Sequence, residues 1–253
     1  MAAPLGAIHP AAGASLALTT AEWVALVVAV FAGSTLQGSL GFGLNLVVAP
    51  VAGLVDPDLV PAPLLILGVV HVAALAYRER RDLTFAPVGW TMIGRVPGIV
   101  LAVWLLTSVS AEAIEILFGA MLLGVTALSL VRSGLQATRP NLIAAGAAAG
   151  ITGTTVAVGG PPVALVLADR PNARAEIASV VIVGTTASLV GLVGFGEVGM
   201  PDVRIAAALV APLLLGFACS RVFVGRLDRD RTRVAVHAVA GVAAVALLVR
   251  GLA

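Results

Sequence analysis

The chain has 253 residues, 60% of them hydrophobic and only 11% charged, whereas about 25% of the residues in a soluble globular domain are charged. This composition excludes an ordinary soluble domain, and it also excludes a disordered chain, which would need low hydrophobicity and high charge. The single cysteine, Cys219, excludes a disulfide scaffold. With aromatic residues at 4%, the composition favours an all-α integral membrane protein over a membrane barrel.

The net charge of +2 does not indicate a nucleic-acid partner. The chain has no lysine, and its arginines lie mostly in short clusters between apolar runs. Such clusters are typical of the cytoplasmic loops of membrane proteins. We therefore expect the lipid bilayer as the surroundings of this chain and no nucleic acid as a partner.

Residues 1–20 are predicted to be a short leader that stays on the protein. The first basic residue in the chain is Arg78. A cleavable signal peptide would need a positively charged region before its apolar stretch.

Eight long apolar runs follow, and six of them fit one crossing each, since ~20 mainly apolar residues span the hydrocarbon core. These six cover residues 59–77, 83–111, 116–131, 177–196, 205–220 and 234–249. The other two, residues 21–55 and 141–168, are long for one straight span and short for two. Glycine clusters and prolines interrupt both, which favours broken or re-entrant helical hairpins. A kinked single span or two short spans are the alternatives.

Four clusters of arginine orient these runs in the membrane. They are Arg78, Arg80 and Arg81; Arg132 and Arg139; Arg170 and Arg174; and Arg226, Arg229, Arg231 and Arg233. The turns at residues 56–58, 107–111 and 196–202 hold no such cluster. Because arginine accumulates in cytoplasmic loops, the first hairpin is expected to leave and return on the outer side and the second on the inner side.

The chain also contains an internal duplication. Gly38, Gly41 and Pro50 match Gly150, Gly153 and Pro162 at a constant offset of 112 residues. The match continues at a drifting offset, with Gly68 opposite Gly184 and Gly98 opposite Gly216. Its order and near-constant spacing predict two repeats, residues 21–134 and 135–253, each a hairpin followed by three transmembrane helices.

Three crossings in each repeat would turn the second repeat upside down relative to the first. Such inverted repeats are typical of secondary transporters, in which the ends of broken helices meet near the membrane midplane. Unpaired N–H groups and the positive ends of helix dipoles can hold an anion there.

The two glycine-rich runs that end in proline, Gly38 to Pro50 and Gly150 to Pro162, resemble those of the TauE/SafE family, also called the toluenesulfonate uptake permease family. The resemblance covers roughly Glu22 to the C-terminus. It implies a membrane transporter of sulfur-containing anions such as sulfite, sulfoacetate or aryl sulfonates. Some members move these anions outward and others inward, so the resemblance leaves the direction open.

Arg95 is the first candidate for a substrate contact. It lies near the middle of the run 83–111, which has no acidic residue to neutralise it. An arginine inside the membrane is costly and by default indicates a functional site. Its planar guanidinium also matches an oxyanion with paired N–H donors. Bonding to the carbonyls of a broken helix is the structural alternative.

Polar side chains and glycines at the two hairpin tips complete the predicted substrate site. They are Gln37, Ser39, Gly41 and Asn45 in the first tip and Thr152, Gly153, Thr154 and Thr155 in the second. Thr185 is added from the middle of the next span, where Thr186 and Ser188 also lie. Hydroxyls in membrane helices commonly bond their own helix or a neighbouring one, which is the alternative interpretation.

His71 is the predicted candidate for proton coupling, because histidine exchanges a proton near neutral pH. His71 and His237 are the two histidines inside predicted spans, and each stands alone. A hydrogen bond between helices is therefore the competing interpretation. Every acidic residue falls at a helix end or in a loop, so no carboxylate relay is expected inside the membrane.

The predicted function is secondary transport of a small sulfur-containing anion across the inner (plasma) membrane by a multi-pass protein. An anion channel with the same polar tips is the alternative. A serine protease built on Ser39 and His71 is disfavoured, because the duplication accounts for the glycines and places Ile151 or Thr152 opposite Ser39. The chain has no nucleotide-binding motif and no cluster of metal ligands, so we expect no enzyme activity, no cofactor and no metal. A homodimer is left open.

Overall fold

The computed structural model describes residues 18–40, 43–109, 111–130, 135–223 and 229–252. Over these residues the chain is all-helical and has no strand, as the composition predicted. Most of the predicted leader and the candidate residue Gly41 lie outside the described residues.

Ten α-helices form the described chain. They are α1 (Thr20–Leu40), α2 (Leu44–Val55), α3 (Ala62–Glu79), α4 (Val88–Ser108), α5 (Ala111–Leu130), α6 (Arg139–Thr155), α7 (Gly160–Leu167), α8 (Ala173–Gly194), α9 (Met200–Phe223) and α10 (Arg229–Leu252). A short 3-10 turn, Pro57–Leu59, precedes α3.

Six segments of the described chain are long and apolar enough to cross a membrane. They are Thr20–Ser39, Pro57–Arg78, Val88–Ser108, Ala173–Gly194, Met200–Phe223 and Val234–Leu252. Five correspond to predicted crossings, and the sixth, Thr20–Ser39, is the first arm of the first predicted hairpin. The crossing predicted at residues 116–131 lies on α5, where the apolar helical segment Ile116–Leu130 is shorter than these six.

Both predicted hairpins are helix–turn–helix units with a long first arm and a short second arm. The first pairs 21 residues in α1 with 12 in α2, and the second pairs 17 in α6 with 8 in α7. At 1.5 Å per residue, the short arms are about 18 and 12 Å long. Neither can cross a hydrocarbon core of about 30 Å.

Each hairpin turn contains a residue in the left-handed region of backbone space. Gly43, with φ of 122°, immediately precedes α2, and Ala157, with φ of 57°, lies between α6 and α7. In the second turn, residues 156–159 are not helical, and Pro161 and Pro162 start α7 only after them. It therefore leaves a short non-helical stretch of backbone beside the neighbouring helices.

Five helix pairs have the most extensive contacts: α4 with α6, α1 with α9, α5 with α10, α3 with α8, and α1 with α2. Contacts at successive positions define relative directions, and α1, α3 and α9 run one way while α4, α6 and α8 run the other. The parallel contacts are Thr35–Gly216 and Ser39–Ser220 (α1, α9), His71–Phe217 and Arg78–Ser220 (α3, α9), Gly94–Ile143 and Gly98–Ala147 (α4, α6), and Arg95–Gly184 and Ile99–Gly191 (α4, α8). Helices α3 and α8 are antiparallel, because Gly68 of α3 contacts Thr185, while Thr84, five residues beyond the end of α3, donates its N–H to Ser179 near the start of α8.

Candidate functional site

Arg95 is the largest of the fully buried side chains among the described residues, and only 2% of its surface is exposed. It lies on α4 where that helix crosses α6 at very short range. A Cβ atom on Gly94 would overlap the carbonyl oxygen of Ile143, and one on Gly146 would overlap that of Thr91. The small residues on both helices therefore let the two backbones touch and bring Arg95 against the second hairpin.

Three glycines enclose the guanidinium of Arg95. A Cβ atom on Gly184 of α8 would overlap Cζ and Nη1 and would lie 2.6 Å from Nε. From the second hairpin, a Cβ on Gly153 would lie 2.9 Å from Nη2, and one on Gly159 would lie 3.1 Å from it. These three residues, here called the glycine socket, leave no room for any larger side chain around the guanidinium.

The hydrogen bonds of Arg95 use only part of what its guanidinium can donate. Nη2 donates to Oγ of Ser188 at 3.3 Å, and Thr154 Oγ1 donates to the same oxygen at 3.0 Å. Nε and Nη1 are buried and have no hydrogen-bond partner within the described chain. Ser188 and Thr154 are themselves fully buried, so these bonds lie away from any surface.

No carboxylate on the surrounding helices neutralises this charge. Helices α4, α6 and α7 contain no Asp or Glu, and the one acidic residue of α8, Glu176, forms an ion pair with Arg170 at the start of that helix. Withdrawing a charge from water without a partner is expensive. The site thus has a fixed positive charge and free N–H donors, which is the arrangement that an anion would complete.

The first hairpin reaches this region through Asn45. Its Nδ2 donates to the carbonyl oxygen of Ala157, in the turn of the second hairpin, at 2.6 Å. A Cβ atom on Gly68 would lie 3.1 Å from Cγ2 of Thr185 and 3.9 Å from Nδ2 of Asn45. Asn45 and Thr185 therefore lie close together next to the glycine socket, since Thr185 follows Gly184.

Four of the predicted tip residues bond within their own hairpin, and two of them also reach a neighbouring helix. Ser39 donates to the carbonyls of Thr35 and, on α9, Ser220; Thr152 donates to that of Ala148; and Thr155 donates to that of Ile151 and, on α5, to Met121 Sδ. Gln37 Oε1 accepts from the N–H of Leu44 at 3.0 Å and so satisfies the first turn of α2. Of the described tip residues, Asn45, Gly153 and Thr154 are thus the ones that the fold brings toward Arg95.

His71 lies in a separate cluster between α1, α3 and α9. Nδ1 is 3.2 Å from Ser34 Oγ, and the imidazole meets the ring of Phe217 edge-on at 5.2 Å. Arg78 lies over the other side of this region, 4.3 Å from the Phe217 ring centre, and donates to the carbonyl of Gly38. His71 is fully buried and is not in contact with the glycine socket through any of these bonds.

Sequence reasoning missed three residues of the site, Gly159, Gly184 and Ser188, as contacts of Arg95. Gly184 was noticed only as the repeat partner of Gly68, and Ser188 only as one of several hydroxyls in the same span. Gly184 and Ser188 lie four residues apart, which places them on one face of α8. That spacing indicates a shared contact only when it is known that α4, with Arg95, packs against this face.

The family model described as sulfite exporter TauE/SafE matches residues 25–247 of the chain. The match includes both hairpins, Arg95 and the glycine socket. No curated protein and no solved structure matches the chain significantly.

Proposed function

Because this chain belongs to the sulfite exporter TauE/SafE family, we propose that it is a secondary transporter that moves a sulfur-containing oxyanion out of the cell across the inner membrane. The family is one of membrane transporters, and the apolar helices make the chain a multi-pass membrane protein. Sulfite and small organosulfonates are the anions that fit both the family and the site.

The observation that carries this proposal is the unneutralised guanidinium of Arg95. It is buried in the middle of a membrane helix, with two of its nitrogens unpaired in the described structure. A buried guanidinium without hydrogen-bond partners is costly, and an oxyanion would offset part of that cost through charge-assisted hydrogen bonds. Thr154 and Ser188 from the second hairpin and α8 would bind the same anion.

Helix directions support an inverted arrangement of the two repeats. Under the duplication, α1, α3 and α4 correspond to α6, α8 and α9. Each member of the first set runs opposite to its counterpart in the second, as judged from the contacts given above. The two most extensive helix contacts fit the same correspondence. Replacing α1 and α9 by their counterparts α6 and α4 turns the α1–α9 pair into the α6–α4 pair.

Asn45 adds a second, independent support for this arrangement. It donates to Ala157, which is the residue 112 positions later and therefore its own counterpart in the duplication. A residue can touch its counterpart only close to the axis that relates the two repeats. The hairpin tips thus meet at the axis, where inverted-repeat transporters bind their substrates.

Export follows from the charge of the site and of the membrane. An inside-negative potential drives an anion outward, with ~2.3 kcal/mol per charge per 100 mV. The helices around Arg95 carry one carboxylate, that of Glu176 at the start of α8, and it is paired with Arg170. Uptake would need a coupled cation or proton, for which His71 is the buried candidate, whereas export needs neither.

The test is anion flux in vesicles containing the purified protein. We expect sulfite or methanesulfonate to cross the vesicle membrane only when the protein is present. Arg95→Ala should abolish this flux. Arg95→Lys should retain part of it, because a point charge cannot replace the planar fork of N–H donors of the guanidinium. Arg204→Ala, which removes an exposed arginine of α9, is the matched control and should transport normally. Full flux in folded Arg95→Ala would refute the assignment of the site.

The same protein-containing vesicles distinguish a transporter from a channel. A transporter coupled to a second solute can accumulate the anion against its gradient, whereas a channel only dissipates it. Accumulation driven by an imposed counter-gradient would therefore favour the transporter. Purely dissipative flux that never saturates would favour the channel.

A further inference from the structure

We propose that Asn45 is a positioning residue of the Arg95 site, which acts by holding the turn of the second hairpin and not by binding the anion. This turn, residues 156–159, keeps Gly153 and Gly159 against the guanidinium. The inference rests on the function proposed above and concerns the same site. It is carried by one hydrogen bond and by the backbone conformation of the residue that accepts it.

The two hairpins make their turns with different residues. Each turn contains a residue in the left-handed region of backbone space, which is Gly43 in the first hairpin and Ala157 in the second. Glycine adopts this conformation without strain, because it has no Cβ atom. Alanine is strained there, since its Cβ crowds the following carbonyl oxygen. No other described residue besides glycine has a positive φ.

The first hairpin holds this strained turn from outside. Asn45, at the start of α2, donates from Nδ2 to the carbonyl oxygen of Ala157 at 2.6 Å. Ala157 is buried, and a buried carbonyl that loses its donor is costly. Within the second hairpin, the N–H groups of Val156 and Val158 both donate to the carbonyl of Thr152, which ends α6. The bond from Asn45 therefore offsets the strain at Ala157.

Residues on both sides of Ala157 contact Arg95. A Cβ atom on Gly153, in the last turn of α6, would lie 2.9 Å from Nη2, and one on Gly159, directly before α7, would lie 3.1 Å from it. The Cβ position of Gly159 is also 3.2 Å from Cα of Gly153, so the two glycines touch each other. A turn that left its left-handed conformation would move Gly159 relative to Gly153. The guanidinium would then be free to leave the orientation in which Nη2 donates to Ser188.

A double substitution separates this role from a direct contact with the anion. Asn45→Ala removes the donor and lets the turn relax, so we expect methanesulfonate to bind about tenfold more weakly. Ala157→Gly removes the strain, because glycine keeps the left-handed conformation without help from Asn45. When both changes are combined, the loss of affinity should shrink to about threefold or less. If Asn45 bound the anion directly, Ala157→Gly would restore nothing.

Calorimetric titration of methanesulfonate into the purified full chain in lipid nanodiscs measures these affinities. Asn141→Ala is the matched control, since Asn141 also donates from Nδ2 to a backbone carbonyl, that of Gln136 at 2.9 Å. Asn141 lies at the start of α6, about 18 Å along the helix from Gly153. Asn141→Ala should bind like the wild type, both alone and together with Ala157→Gly.

Two results would overturn the positioning role: wild-type affinity in folded Asn45→Ala, or a double variant that binds about tenfold more weakly than the wild type. The double variant decides the matter even if Asn45→Ala alone does not fold. Either result, with binding that Arg95→Ala still abolishes, would leave the proposed function standing. A wild-type chain that binds neither methanesulfonate nor sulfite would overturn the proposed function and this inference together.

Discussion

Arg95 and Gly184 depend on each other, because the guanidinium lies on the bare backbone of α8. The guanidinium lies against the position where any other residue at 184 would have its Cβ atom, close to Cζ, Nη1 and Nε. Nε and Nη1 have no hydrogen-bond partner within the described chain. Glycine at this position therefore helps to set where the positive charge can point.

We predict that Gly184→Ala lowers sulfite affinity about tenfold or more, since overpacking of a closed site costs about 1–3 kcal/mol. The added methyl group would overlap Cζ and Nη1 and force Arg95 out of the socket. Gly194→Ala, at the end of the same helix, is the matched control because its Cβ would meet nothing within 4 Å. Calorimetry on both variants measures the effect, and equal affinities would contradict it.

At the scale of elements, the crossing of α4 and α6 positions the site. Gly94 and Gly98 on α4 face Gly146 and Gly150 on α6, so each helix has a pair of glycines four residues apart. Close backbone approach of this kind stabilises helix pairs in membranes, where the hydrophobic effect does not drive association. The equivalent crossing of α1 and α9 uses hydroxyls as well, with Thr35 donating to Gly216.

We expect Gly146→Ala to destabilise the folded chain by about 1–3 kcal/mol or more, because the methyl group would collide with the backbone of Thr91 and not with a flexible side chain. Gly124→Ala is the control, since its Cβ would lie in open space on an exposed face of α5. Thermal unfolding in detergent compares the two. If Gly146→Ala melted at or above the temperature of the wild type, α4 and α6 could move apart without loss of stability, and the prediction would be wrong.

On the scale of the whole molecule, the antiparallel pairing of α3 and α8 determines where the chain turns. The 3-10 turn at residues 57–59 immediately precedes α3, and Asn172 precedes α8. Because these helices run in opposite directions, the two turns belong to opposite ends of the bundle. Because arginine accumulates in cytoplasmic loops, the cluster of Arg170 and Arg174 predicts that the turn near Asn172 faces the cytoplasm.

This arrangement predicts opposite accessibility of the two turns. With Cys219 replaced by Ala, single cysteines at the exposed positions Asp58→Cys and Asn172→Cys should differ when intact cells are treated with an impermeant thiol reagent. Only the cysteine at position 58 should be labelled from outside. Equal labelling at both positions would contradict the inverted repeats.

The transport cycle should also respond to membrane potential. If the anion moves without a coupled ion, its flux in vesicles should change with an imposed potential, by ~2.3 kcal/mol of driving force per charge per 100 mV. An inside-negative potential should accelerate efflux and oppose uptake. Flux that is independent of a clamped potential would mean that a compensating charge moves with the anion.

Much of the fold could be predicted because it depends on properties that are local in the chain. Long apolar runs require helices in a bilayer, and glycine and proline break those helices where they occur. Both hairpins and five of the six candidate spans were predicted on these grounds. The sixth candidate span, Thr20–Ser39, is the first arm of the first predicted hairpin, and the crossing predicted at residues 116–131 stays a prediction for α5.

The sequence by itself determined that the chain is a helical membrane protein with an arginine inside one of its apolar runs and with two runs broken by glycine and proline. Only the tertiary structure decided which partners surround it, namely Gly184 and Ser188 from α8 and Gly153, Thr154 and Gly159 from the second hairpin. The physical reason is that a hydroxyl can bond its own helix or a neighbour with little difference in energy. The close crossing of α4 and α6 at their glycines positions Arg95 against the second hairpin. In that position Arg95 lies near Thr154 and not near Thr152 or Thr155.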